Sequence, residues 1–170
     1  MLNVESPAKV KYGTSNKVLG VDNITVVPQF SGLSFVYRTS DIKYTSDYYN
    51  IFFNPPAQQI EQSVVKYLDA KNIFKYVVIN TDIFHPDYIL HADVLGLYAD
   101  YRDSKFPKAV MAIHFVLFVP NNKAQTLLDK TYHAATPLHH KDSQSLVYSW
   151  NEDLAKILAQ LSNNLRSLKL

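Results

Sequence analysis

Six histidines and a scatter of aspartates are the side chains here whose chemistry suits a metal ion. Asp82, His85 and Asp87 fall in one segment, and His91 and Asp93 follow closely. Imidazole and carboxylate are ordinary zinc ligands, but real sites draw them from defined spacings with supporting partners. Asp-x-x-His-x-Asp is no such spacing, and Pro86 interrupts it, so a solvated loop is the better reading. His139 and His140 are adjacent and do not easily place both rings on one ion. His114 stands between Ile113 and Phe115, and His133 lies in another strand-like stretch. Both read as strand-face histidines rather than catalytic bases.

Other catalytic patterns are missing. The four glycines, at 13, 20, 32 and 96, make no phosphate-cradling loop, and no Gly-x-Ser-x-Gly elbow occurs. Glu5, Glu61 and Glu152 form no paired-carboxylate arrangement of the glycosidase kind. The absence of cysteine excludes disulfides, thiolate metal sites and a cysteine nucleophile. The expectation is a protein with no catalytic residues, cofactor or metal.

What remains is aromatic. Tyr44, Tyr48, Tyr49, Phe52 and Phe53 crowd into ten residues. Alternating aromatics on a strand usually serve as core and cross-strand pairs. The sharper reading is an exposed surface for lipid or a partner, centred on Tyr44, Tyr48 and Phe52. Arg38 follows Tyr37 and has Asp41 and Asp47 nearby in sequence, which suits a structural ion pair.

The elements that must position these residues come from composition and periodicity. A chain of 170 residues is one domain by the usual prior. It buries about 70% of its unfolded surface without staples. With 47% hydrophobic and 19% charged residues it is a folded chain, and 12 Tyr and 9 Phe favour strands. The net charge of +2, from scattered lysines, argues against nucleic acid. No apolar run approaches the roughly 20 residues of a membrane span, and no signal peptide follows Met1. Residues 1–16, with Pro7, Gly13 and Thr14, read as a flexible lead-in to a single domain at 17–170, and the polar start suits a trimmed chain.

Within that domain, residues 18–27, 34–38, 42–45, 47–53 and 77–79 read as strands. Pro55 and Pro56 open a helix with Ile60, Val64 and Leu68 on one stripe, ending near Asn72. Residues 88–98 alternate along a long strand in which Gly96 marks a bulge. Residues 109–119 are apolar on both faces and read as a central, covered strand. A turn at 120–123 leads to a strand over 126–135. Ser143 or Ser145 caps a last helix whose stripe runs through Leu146, Trp150, Leu154 and Leu161. Packing on the sheet suits this helix better than lying on a membrane, because Glu152 and Asp153 share its polar face with Lys156. The sum is an α+β fold: a mainly antiparallel sheet with two amphipathic helices on one face.

Residues 18–168 resemble the ABC-type transport auxiliary lipoproteins, which include the paraquat-inducible lipoprotein of bacterial MCE systems. The resemblance is carried by Val18-Leu19-Gly20-Val21, Phe35-Val36-Tyr37-Arg38 and the run Tyr48-Tyr49-Asn50-Ile51-Phe52-Phe53-Asn54-Pro55-Pro56-Ala57. Tyr67-Leu68, Ile73-Phe74, Thr131 and Trp150-Asn151-Glu152-Asp153-Leu154 continue it. It implies an α/β fold without a catalytic site, in which Tyr37, Arg38, Pro55 and Pro56 are structural positions. It also implies a periplasmic component that docks with an MCE-domain protein and ABC transporter subunits, handles phospholipid, and assembles as a homo-oligomer. The family's outer-membrane anchor is an acylated N-terminal cysteine, a residue this chain lacks. The competing expectation is an envelope interaction module that assists assembly of an outer-membrane protein.

Overall fold

The computed structural model describes residues 1–5, 15–79, 85–120, 122–168 and 170. Its strands are β1 (Val18–Val21), β2 (Thr25–Val26), β3 (Ser34–Arg38), β4 (Tyr44–Ile51), β5 (Tyr76–Val78), β6 (Tyr88–Asp100), β7 (Lys108–Val119) and β8 (Asn122–Pro137). Its helices are α1 (Pro56–Lys71) and α2 (Ser143–Ser167), and Pro28–Phe30 makes a 3-10 turn.

β6 is the spine. Along one side it takes β1, β2 and β3 in succession, all parallel. Along the other it pairs antiparallel with β7, which pairs antiparallel with β8. Outside β1 lies β5, parallel; outside β3 lies β4, antiparallel. The α+β class therefore holds, but the sheet is mixed rather than mainly antiparallel. Parallel neighbours need crossover connections, and periodicity shows that a strand exists without showing which way its neighbour runs. The expected strand over 18–27 is two short pieces, and those at 42–45 and 47–53 are one bulged strand.

Both helices lie on one face. In α1, Ile60, Val64 and Leu68 are wholly buried, Pro56 fills the first turn, and Asn72 stops the helix at φ 53°. In α2 the stripe through Leu146, Trp150, Leu154, Leu158 and Leu161 is also wholly buried. Each such side chain contributes roughly 1.5–3 kcal/mol on burial, so the stripe rather than helix propensity holds α2 in place. Its cap is Asp142, whose Oδ1 accepts from the Ser145 N–H at 2.7 Å, not Ser143 or Ser145.

β7 is central, yet only one of its faces is covered. Met111, Ile113, Phe115 and Leu117 are fully buried under the helices, while His114, Val116 and Phe118 are half-buried on the open face. The β6–β7 register shifts between Val94 and Gly96, the bulge expected at that glycine. A Cβ there would stand 3.4 Å from that of Ala112.

The first five residues are not a loose lead-in. Leu2 and Val4 are buried in the core. The Leu2 N–H donates to Gln59 Oε1 at 2.7 Å, and the Asn3 N–H to Asn151 Oδ1 at 2.9 Å, so the segment straps α1 to α2. Two apolar side chains at alternate positions suffice to anchor it, which polar neighbours obscure in the sequence. Pro7, Gly13 and Thr14 lie outside the described residues.

Candidate docking site

Register gathers several connections at one end of the sheet. Arg38 pairs with Asp100, Asp100 with Lys108, and Lys108 with Pro137. The segments 39–43, 101–107 and 138–142 therefore emerge side by side.

A bulge in β4 projects nearby. Ser34 pairs with Ile51 but Val36 pairs with Ser46, so residues 47–50 are pushed out of the ladder. One carboxylate shapes the bulge. Asp47 Oδ1 accepts from the N–H groups of Tyr49 and Asn50 at 2.8 and 3.0 Å. Its Oδ2 accepts from Asn50 Nδ2 at 2.7 Å and from the Tyr37 hydroxyl. The Tyr37 hydroxyl and Asn50 hold the Asp47 carboxyl well below the usual carboxylate range. Burial, then the Asp47 acceptor, push the Tyr37 phenol up. At neutral pH the pair is thus a phenol donating to an ionised carboxylate, a strong charge-assisted bond.

At the tip, Tyr48 and Tyr49 are 87% and 88% exposed, their rings edge-on with centroids 5.2 Å apart. Phe53 is 95% exposed, and Ile51 also faces outward. Phe52 turns the other way and is buried at 4%, its ring 4.6 Å from Phe35 and 5.6 Å from Trp150. It anchors the projecting segment to the core. Two clefts flank the bulge. One, of about 550 Å³, is lined by Tyr37, Asp47, Tyr101, Lys141 and Asp142; the other, of about 380 Å³, by Met1, Tyr49, Ile51, Gln144 and Val147.

The expected surface of Tyr44, Tyr48 and Phe52 is therefore not one stripe. Tyr48 is on the bulge, and Phe52 belongs to the core. Tyr44 packs on Phe30 and Tyr98 with ring centroids 6.0 and 5.5 Å away, and the Arg38 guanidinium sits 5.5 Å over its ring. Tyr44 is still 41% exposed, so of the three only Phe52 is misplaced, because the bulge breaks the period of two before it. Tyr49 and Phe53 join the exposed set. The signal for them was Asp47 with Asn50, turn-forming residues bracketing Tyr48-Tyr49.

Arg38 lies 3.9 Å from Asp41 and donates to the Asp41 carbonyl at 2.9 Å, while Asp47 serves Tyr37 instead. Arg102 binds Asp100 at 2.8 Å and Asp41 at 2.7 Å, and its hydrogen bonds hold the Asp100 carboxyl down. Pro55 precedes α1 and Pro56 begins it.

The histidines disperse. Asp82 lies outside the described residues. Asp87 accepts from Lys17 Nζ at 3.0 Å and from the Val18 N–H at 2.9 Å. His91 stands on the open face between Asp22 and Asp93, at 3.5 and 3.4 Å, and His114 contacts Asp129 at 2.8 Å. His85, His133, His139 and His140 are exposed. Among the described residues no three His, Asp or Glu side chains are placed to hold a metal ion, and no helix is long and apolar enough to cross a membrane.

No family model and no curated protein matches this chain. Solved structures do. A Xanthomonas campestris protein assigned to the family model DUF330 superposes with a TM-score of 0.85 at 16% identity, over 98% of this chain and 94% of its own. A hypothetical protein of Chlamydia trachomatis gives 0.58 at 10% identity, over 90% and 99%. The PelC dodecamer of Paraburkholderia phytofirmans gives 0.55 at 14%, over 96% and 95%. At these identities the likeness is one of fold, and the α+β architecture built around β6 is shared with these bacterial proteins.

Proposed function

We propose that this protein is a non-enzymatic accessory component of a bacterial ABC/MCE-type lipid-transport system, docking through the aromatic bulge at residues 47–50. The observation that carries the reading is that bulge. Two nearly bare tyrosines sit on a turn fixed by four hydrogen bonds to one carboxylate. Tyrosine offers a large contact area with few rotamers to freeze, and buried aromatic anchors dominate binding energies at interfaces. The sequence resemblance to the auxiliary lipoproteins and the fold shared with the DUF330 structure support the assignment.

On this reading the protein works in the periplasm at the outer membrane and binds an MCE-domain protein and transporter subunits, with phospholipid as cargo. It works as a homo-oligomer, a reading supported by the dodecameric PelC of like fold. The test is gentle purification from membranes, comparing wild type with Tyr48→Ala/Tyr49→Ala. Wild type retains the MCE protein and gives an oligomer by native mass spectrometry. The variant melts at the same temperature and loses the partner at least about tenfold, equivalent to about 1.4 kcal/mol of binding. Equal retention by the two, or recovery of a β-barrel in place of MCE components, overturns the reading.

A further inference from the structure

Asp153 is wholly buried on the face of α2 that meets β8. Its Oδ1 accepts from the Thr136 hydroxyl at 2.6 Å, and that hydroxyl in turn accepts from Lys156 Nζ at 2.6 Å. Its Oδ2 is buried without a hydrogen-bond partner. Asp100, the other buried carboxylate among the described residues, differs in being clamped by Arg102. The charges near Asp153 are Glu152 and Lys156 of α2 itself. From β8, Thr136 offers its hydroxyl and its backbone N–H, and β7 places Ala109 beside Thr136. An anionic oxygen with no donor inside an apolar contact is costly, and the neutral acid far less so.

We propose that Asp153 is a pH-dependent latch for α2, letting the helix seat on β7 and β8 when protonated and loosening it when ionised. Burial raises this carboxyl to about 6, with Thr136 and Lys156 pulling it partly back and Glu152 adding a small upward push. The folded value thus exceeds the ordinary carboxylate value. The latch is fully closed below the unfolded value of about 4, and its contribution is lost as pH rises through 6. Trp150 lies one turn earlier on the same helix and packs on Phe35 and Phe52, with ring centroids 5.2 and 5.6 Å away. Loosening α2 therefore loosens the wall that holds the aromatic bulge. The latch stands independently of what docks there.

Trp150 is the only tryptophan of the chain and reports directly. In wild type, acrylamide quenching of its fluorescence rises between pH 5 and 7.5 with a midpoint near 6. Amide protection in α2, corrected for intrinsic exchange, falls about tenfold over the same interval. Asp153→Asn, which keeps the side-chain volume, removes both changes; Thr136→Val moves the midpoint upward. Quenching and protection that ignore pH in wild type overturn the proposal, as does an unchanged pH dependence in Asp153→Asn. Carbon-13 detection of the Asp153 carboxyl in wild type checks the same point without any variant, and a midpoint near the ordinary value of about 4 also overturns it.

Discussion

Asp47 and Asp153 are both aspartates beside a hydroxyl, yet they do opposite things. Asp47, at the surface, takes four hydrogen bonds and fixes the shape of a turn. Asp153, in the core, draws on Thr136 alone, and its second oxygen is left without a donor. The first carboxyl is held well below the usual range by its donors, and the second is raised to about 6 by burial. What decides the sign is the number of donors set against the loss of water. A saturated carboxylate stiffens its surroundings, whereas an under-supplied one makes its surroundings sensitive to pH.

The harshest way to break the comparison is to remove what both regions share. Trp150→Ala takes away the ring between α2 and Phe52 and is expected to cost about 3–5 kcal/mol in urea unfolding, with Phe52→Ala close behind. Next comes Asp153→Asn. It gains up to about 3 kcal/mol at pH 7.5 and nothing below pH 4, because the wild-type penalty exists only when the acid is ionised. A stability profile of the variant that falls between pH 4 and 6 as steeply as the wild type's contradicts this.

Asp47→Ala strands the Tyr37 hydroxyl and frees the bulge, at about 1–3 kcal/mol. Its pH signature is the reverse. A lowered carboxyl contributes stability above its unfolded value and loses it as pH falls below about 4, so Asp47→Asn flattens the acid limb of the unfolding profile. The smallest effect on stability is expected for Tyr48→Ala and Tyr49→Ala, within about 0.5 kcal/mol, since both side chains are exposed. A larger loss in thermal melts would mean that the tip supports the fold rather than faces outward.

The helices were the most legible part of the fold. Pro55-Pro56, the stripe from Ile60 to Leu68 and the left-handed stop at Asn72 are local signals, and the structure keeps all of them. The bulge at Gly96 was also readable, because a glycine inside a strand marks a place where regular pairing fails. Of the site, the aromatic segment and the outward place of Tyr44 and Tyr48 were visible, but the burial of Phe52 and the exposure of Tyr49 and Phe53 were not. Phe52 and Phe53 are neighbours of one chemical type, and only the extrusion of residues 47–50 sends one to Trp150 and the other to solvent.

The sequence by itself determined where the two helices and the long strands β6 and β7 fall, since prolines, turn residues and apolar spacing act over a few residues. Three things needed the tertiary structure. The parallel placement of β1, β2 and β3 along β6 depends on partners 60 to 70 residues away in the chain. The seat of Leu2 and Val4 depends on a cleft between two helices. The raised carboxyl of Asp153 depends on β8 bringing Thr136 to one oxygen and nothing to the other. Each is set by which distant groups meet in space and by how much water they exclude, and neither quantity is encoded by neighbouring residues alone.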